Sequence, residues 1–416
     1  QKGGLSLKGL WISKYLKDDL PWYFAVADNE KPAKFLIADR VPVDFSDDDN
    51  VDALWSRFFR AEQEFLRLWS DVRYNEEDIT KLERPQRSLL DLMSAIARKT
   101  LERCTFCEWK CRVDRTRPKL LGACMLDATT RVASYFHHHG EELVFRGVLG
   151  SGTIFFTSCN MRCAFCQNSD ISRDRFNGAV FTPNDLAFTM VKLRLEGVHN
   201  INLVGGEPTP HIHTIVDALR VVARQGLNVR PDSWDSVVQA NSDFLYYPVS
   251  PSQALYRGLL NFPVLWNSNF YMTAEFTRFL RVIVDIWLPD FKFGNDKCAI
   301  RLARTPFYVR TVTRNLKLVH DWGEDMVIRH LVMPNHVECD TKPVLEWIAK
   351  NTPGVWVNIM DQYRPEAYAD PTSPLYDPKY SDIARRPTDE EIRTAYEYAK
   401  QLGIKFDLIS LERRYH

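Results

Sequence analysis

The chain has 416 residues, with 45% hydrophobic and 26% charged side chains, fractions near globular averages that exclude a mostly disordered or fibrous protein. Fifty-four basic residues balance 54 acidic ones, so no net field draws the chain to nucleic acid or to an anionic membrane. The longest apolar runs, such as Ile154 to Phe156 and Ile201 to Val204, are far too short to span a bilayer, and no secretion-signal pattern is present; the expectation is a cytoplasmic protein with no membrane partner.

In chain order, residues 46–50 offer helix-capping side chains beside negative charge. Trp55, Phe58, Phe59, Phe65, Leu66 and Trp69 then recur at mostly three- and four-residue steps, which predicts an amphipathic helix whose aromatic stripe serves a core or a domain interface. A second helix is expected over 86–102. From about residue 150 the texture changes. Thr153 to Thr157 is β-branched and aromatic and predicts a buried strand. Thr182-Pro183-Asn184-Asp185 opens a helix to about Glu196. A strand at 200–204, a helix at 212–225 and strands at 263–267, 282–288, 327–332 and 355–360 follow. Strands alternating with helices imply βαβ units and a parallel sheet. Residues 364–388 carry five prolines and predict an extended surface excursion, before a last helix at 389–402. The expected organisation is an α-rich extension (1–100), a cysteine-bearing segment (101–149), an α/β domain (150–363) and a C-terminal extension (364–416).

Seven of the nine cysteines fall into two tight groups. A chain this long buries its own core, so clustered cysteines point to metal or iron–sulfur ligation rather than to a disulfide framework. Cys104, Cys107, Cys111 and Cys124 read C-x2-C-x3-C-x12-C, which suits tetrahedral zinc, a mononuclear iron or a second [4Fe-4S] cluster; residue types leave these three open. Arg112, Arg115, Arg117 and Lys119 around them are expected on a solvated or ion-paired surface, not in a nucleic-acid patch. Cys298 and Cys339 stand alone and are expected to be ordinary thiols. His137, His138 and His139 would alternate across a strand and so could not share one ion. Structural or substrate-side roles are expected for them, with Glu141 and Glu142 as polar groups at an active-site mouth.

Cys159, Cys163 and Cys166 form C-x3-C-x2-C directly after the strand 153–157. Three thiolates on one loop can grip three irons of a cubane cluster, whereas four are usual for electron transfer. With no fourth cysteine nearby, one iron stays open to a small molecule, as on a catalytic zinc. Forty residues on, Gly205-Gly206-Glu207 ends the next strand. Two glycines let backbone approach a ligand closely, and carbonyls or a carboxylate suit an ammonium.

Together these motifs resemble the radical S-adenosylmethionine (SAM) superfamily. The stretches around Gly150–Asn168, Val264–Ser268, Asp285–Lys292, Arg329–Pro334, Asn358–Tyr363 and His138–Glu142 resemble uncharacterised relatives of pyruvate formate-lyase activating enzyme, over about residues 100–405. The resemblance implies a partial TIM-like barrel of six βα units with its site at the carboxyl ends of the strands. It implies a [4Fe-4S] cluster on Cys159, Cys163 and Cys166, with Phe165 beside it. SAM would lie on Gly205, Gly206 and Glu207, and Asn267, Asp290, Lys292 and Arg329 would complete its site, with the two cations facing its carboxylate. A monovalent cation near Asn267, Ser268 and Asp290 is a further implication. The implied reaction is reductive cleavage of SAM to a 5′-deoxyadenosyl radical that abstracts hydrogen from a protein or peptide, fed by a ferredoxin- or flavodoxin-type donor. A small-molecule or RNA substrate is the alternative, and a plain electron-transfer protein a third. Residues 229–261 exceed the short connection of the relatives and are expected to form a docking or structural element away from the cluster.

Overall fold

A computed structural model describes residues 15–240 and 245–410. Its strands are β1 (Thr130–His138), β2 (Ser151–Phe156), β3 (Ala179–Phe181), β4 (Ile201–Gly205), β5 (Leu255–Tyr256), β6 (Leu259–Leu260), β7 (Val264–Ser268), β8 (Ile286–Pro289), β9 (Val327–Leu331) and β10 (Trp356–Met360). Strands β2, β4, β7 and β8 run parallel, with Gly152 opposite Ile201, Ile201 opposite Val264 and Leu265 opposite Ile286. Strands β9 and β10 form a second parallel pair. Bridges Trp287–Met326 and Asp290–Arg329 carry the parallel order from β8 to β9. The result is a partial barrel of six βα units, as the alternation of apolar runs and helices predicts. Every residue of β7 and β8 is buried, the pattern of parallel strands covered on both faces.

Two antiparallel strands extend the open edge: β1 pairs with β2, and β3 with β1. The helices begin where the sequence supplies caps. Asn50 accepts the Ala53 N–H at 2.9 Å to start Val51–Arg73. Thr182 and Asp185 form a reciprocal capping box at the start of Pro183–Leu195.

Most apolar residues between Trp22 and Leu101 share one continuous core with the barrel. Trp55 meets Phe276 edge-on at 5.3 Å, and Phe58 stacks on Phe279 at 5.7 Å. Trp22 Nε1 donates to Asp285 at 2.8 Å, and buried Lys34 pairs with Glu324. The aromatic stripe is thus an interface onto the barrel helix Ala274–Leu280.

Within 229–261, Asp232 accepts from Thr182 Oγ1 (2.8 Å) and Asn184 Nδ2 (3.0 Å), a helix spans Trp234–Gln239, and Tyr246 lies flat on His137 at 3.6 Å. Residues 364–388 are not an extended surface excursion: they form the short 3-10 helices Ala367–Ala369 and Pro378–Ile383 and bury Ala369, Tyr380 and Ile383. Tyr368 N–H donates to the Ala164 carbonyl at 3.0 Å, and Tyr363 Oη to that of Ile383 at 2.6 Å, so the stretch is folded onto the Cys159 loop by its aromatic residues. Among the described residues no helix is long and apolar enough to cross a membrane.

Candidate active site

The cysteine loop leaves β2 at its carboxyl end. Ser158 adopts φ 70°, which turns the chain sharply into Cys159. Cys159 is buried, and its sulfur receives the Met161 N–H at 3.4 Å and Asn269 Nδ2 at 3.5 Å; both donors suit a thiolate. Burial, with Glu207 nearby, pushes the free Cys159 thiol well up. Burial also raises Cys163, to about 11, against the pull of Lys292. Cys166 Sγ lies 3.3 Å from Ser172 Oγ. Phe165 is buried between Phe293 and Tyr363, at centroid distances of 6.2 and 6.1 Å.

The three cysteines face a cavity of about 220 Å³, and Phe165, Gly205, Gly206, Glu207, Asn267, Asp290, Lys292 and Arg329 line it with them. Residues from the ends of β2, β4, β7, β8 and β9 therefore converge on one space. Met161, Leu331 and Met360 supply apolar wall.

The glycine pair, which lines this cavity, also has a packing reason. Gly205 sits at φ +130°, and a Cβ there would lie 2.3 Å from the Phe156 backbone. A Cβ on Gly206 would lie 1.8 Å from the Ser158 carbonyl oxygen. The pair lets β4 close against the turn that launches the cysteine loop. Glu207 is turned into the protein: its carboxylate accepts from Thr209 Oγ1 and Ser268 Oγ, each at 2.6 Å, and from the Asn269 N–H at 2.8 Å. Burial lifts its pKa to about 7 against those donors. Ser268, one of the residues proposed for a monovalent cation, is thus bonded to Glu207.

Asp290 and Lys292 pair at 3.1 Å on a half-buried strand end. Burial opposes the Lys292 charge, but Asp290, Cys163 and Tyr308 outweigh it and hold the ammonium protonated. Arg329 is gripped from below. Its Nε donates to Glu142 at 2.7 Å, its Nη2 reaches Glu142 at 2.7 Å and also Glu141, and its Nη1 reaches Asn267 at 3.3 Å. Glu141 and Glu142 are buried and take further bonds from Asn202 of β4 and Asn358 of β10, at 2.9 and 2.8 Å. They form a polar plug inside the barrel rather than groups at its mouth, because β1 turns back across the strands' amino ends. His137 holds to the Leu149 carbonyl (2.6 Å), His138 to Glu141 (3.3 Å) and His139 to Tyr246 (3.1 Å); the three histidines serve separate partners.

Cys104, Cys107, Cys111 and Cys124 line a second, small cavity with Arg115 and Trp109. Arg115 is not on the surface. It is 1% exposed, donates to the Asp127 carbonyl at 2.9 Å and points Nη1 at Cys104 Sγ from 3.8 Å. A buried cation there balances thiolates, and the Cys104 thiol falls to about 6, chiefly through its bond with Cys111 and despite burial. Trp109 Nε1 donates to the Asn160 carbonyl at 2.7 Å, joining this segment to the Cys159 loop. Asn160 and Asn269 were invisible to motif reading, since a lone asparagine carries no spacing signal.

A radical SAM superfamily model matches residues 153–348. An uncharacterised protein of Methanocaldococcus jannaschii is 34% identical over 393 residues, covering 93% of this chain and 98% of the relative. The chain belongs to the radical SAM superfamily. Among solved structures, Streptococcus suis SuiB bound to its precursor peptide SuiA is similar at TM-score 0.39 and 13% identity, over 60% of this chain and 46% of that one; this chain thus spans under half of SuiB. A domain of pyruvate-formate lyase-activating enzyme from Bacteroides vulgatus is similar at TM-score 0.27 and 15% identity, over 36% of this chain and 81% of that one. Membership implies a [4Fe-4S] cluster and SAM, and the thiols, their N–H donors and the neighbouring cations suit an anionic cluster and a zwitterionic ligand.

Proposed function

We propose that this radical SAM enzyme holds its [4Fe-4S] cluster on Cys159, Cys163 and Cys166 and acts on a protein or peptide, in the manner of glycyl-radical activating enzymes. The observation that carries the reading is the convergence of those cysteines with Gly205, Gly206, Glu207, Asn267, Asp290, Lys292 and Arg329 on one cavity. Held on Cys159, Cys163 and Cys166, the cluster would supply one-electron reductive cleavage of SAM, fed by a ferredoxin- or flavodoxin-type donor, for hydrogen abstraction from the substrate. Lys292, held by Asp290, offers a fixed cation to a carboxylate. Arg329 adds positive potential from the cavity floor, its direction set by Glu141 and Glu142. Met161 N–H and Asn269 Nδ2 stabilise the Cys159 thiolate, and Phe165, Leu331 and Met360 exclude water from the same space. Cys104, Cys107, Cys111 and Cys124 are assigned to a second metal centre, balanced by Arg115.

Anaerobic reconstitution with iron, sulfide, dithionite and SAM is expected to yield 5′-deoxyadenosine from wild type and none from Cys163→Ala. Equal yields from both, or none from a fully loaded wild type, would refute the assignment. A small molecule or RNA as substrate is the second reading, distinguished by which class of added substrate raises deoxyadenosine formation.

A further inference from the structure

Cys298 and Cys339, isolated in sequence, are brought together by the turns that follow β8 and β9. Their sulfurs lie 3.9 Å apart. His336 Nδ1 is 3.7 Å from Cys298 Sγ and 3.3 Å from Cys339 Sγ. Asp340 Oδ2 is 2.8 Å from the same nitrogen and 3.6 Å from Cys339 Sγ. All four donor atoms fall within 4.8 Å of one another. Around a tetrahedral zinc with ordinary bond lengths, sulfur–sulfur edges are about 3.8 Å and sulfur–nitrogen edges about 3.6 Å. The sulfur–sulfur and sulfur–nitrogen spacings fit that solid, whereas the 2.8 Å nitrogen–oxygen contact is a hydrogen bond, shorter than the edge of about 3.3 Å that a bound zinc would set.

The surroundings are built for the same purpose. Asp340 Oδ1 is occupied by the Gly294 N–H at 2.8 Å and Asn295 Nδ2 at 3.2 Å, which leaves Oδ2 to face the sulfurs. His336 Nε2 donates to Asp382 Oδ2 at 2.8 Å, an orienting bond that would persist once Nδ1 gives up the proton it shares with Asp340 Oδ2 and turns its electron pair to a metal. Asp382 is itself paired with Arg301. Cys298, His336 and Asp340 are buried, and Cys339 is the outermost of the four.

From this geometry we infer that Cys298, His336, Cys339 and Asp340 form a closed, structural site for a thiophilic divalent cation, best matched by zinc. Two thiolates, one imidazole and one carboxylate fill a tetrahedron and leave no open position, so the ion is a staple and not a catalyst. Binding would send the two thiol protons, and the proton shared by His336 Nδ1 and Asp340 Oδ2, to solvent. The staple would fasten the turn after β8, which carries Asp290 and Lys292, to the turn after β9 and to Asp382 of the C-terminal stretch.

The test is elemental analysis of the purified full-length protein beside a variant carrying Cys298→Ser and Cys339→Ser. One zinc per chain should be lost while iron on the Cys159 loop is retained; unchanged zinc would overturn the inference. Because the variant could misfold, the wild type is also alkylated with N-ethylmaleimide, with and without a zinc chelator, and mapped by mass spectrometry. Cys298 and Cys339 should react at least about tenfold faster after chelation, since a coordinated thiolate is shielded. Equal reactivity, or a Cys298–Cys339 disulfide in the native map, would sink the site. Both readouts are independent of SAM cleavage, so they stand or fall apart from the proposed activity.

Discussion

Gly206→Ala isolates the structural cause of the glycine pair. The new Cβ would lie 1.8 Å from the Ser158 carbonyl oxygen, where real contacts stay beyond 3.0 Å, so β4 or the cysteine turn must move by about 1.2 Å. Both neighbours are backbone, and neither can rotate away. Overpacking of this kind costs about 1–3 kcal/mol, and the rigid surroundings place this case near about 3 kcal/mol. For a chain of this size the midpoint of thermal unfolding should drop by roughly 3 °C. The informative measurement is on metal-free protein without SAM, by circular dichroism or scanning fluorimetry. If the glycines serve strand packing, the loss appears in that apo state, and deoxyadenosine formation falls with it because the cysteine loop is displaced. If they served only the approach of SAM, apo stability would be unchanged while SAM affinity fell. That outcome would refute the packing argument.

Two further outcomes follow from buried charge. His211 and His213 are buried and His199 is partly buried, and desolvation lowers their pKa values to about 3, 3 and 4. Each folded value lies below the unfolded one near 6.5, so the unfolded chain takes up more protons and stability falls as pH drops below 6.5. The slope is up to about 1.4 kcal/mol per pH unit for each histidine. Burial lifts Glu207, Asp285 and Asp325 to about 7, 6 and 7, which adds stability as pH falls over the same range, so the histidine contribution is read as a difference. Relative to wild type, His199→Phe should gain stability between pH 7.5 and 5 by up to about 1.4 kcal/mol per pH unit in urea unfolding; a parallel pH profile would count against neutral burial. Glu142→Ala should destabilise by about 3–5 kcal/mol, because it strips Arg329 of its bidentate partner inside the barrel. A loss below about 1 kcal/mol in urea unfolding would mean that water replaces the carboxylate easily.

The βα rhythm was legible because parallel barrel strands are buried on both faces and appear as short apolar runs, as in β7 and β8. The cysteine loop, Gly205-Gly206-Glu207 and Asp290-x-Lys292 were legible because each sits at a strand end, where spacing along the chain is preserved in space. What spacing cannot carry is a partner brought in by the fold. Glu141 and Glu142 precede Arg329 by nearly two hundred positions, and only the return of β1 across the barrel's amino end seats them beneath it. Arg115 looked like one surface cation among several; its burial depends on the Cys104–Cys124 loop wrapping around it. Cys298 appeared solitary because its companions arrive from the next βα turn, and Cys339 because a neighbouring His336 and Asp340 carry no metal-site signal without the second sulfur.

These cysteine groups share a location with a physical meaning. Cys159, Cys163 and Cys166 lie after β2, Cys298 after β8, and His336, Cys339 and Asp340 after β9. The Cys104 segment docks on the turn after β7, where Cys107 bridges to Met272 and Glu108 N–H donates to the Tyr271 carbonyl at 3.3 Å. Loops beyond strand ends have left the sheet's hydrogen-bond ladder, so little but side chains fixes their relative positions. Asn160 shows how such fixing is done without metal. Its Nδ2 donates to the Tyr271 carbonyl at 3.2 Å, its Oδ1 accepts from Asn269 at 2.8 Å, its backbone carbonyl accepts from Trp109, and its side chain reaches Cys107. One residue after Cys159 therefore holds the catalytic loop, the β7 turn and the four-cysteine segment in register. The same demand, at the turns after β8 and β9, is met by two sulfurs, an imidazole and a carboxylate converging on a point.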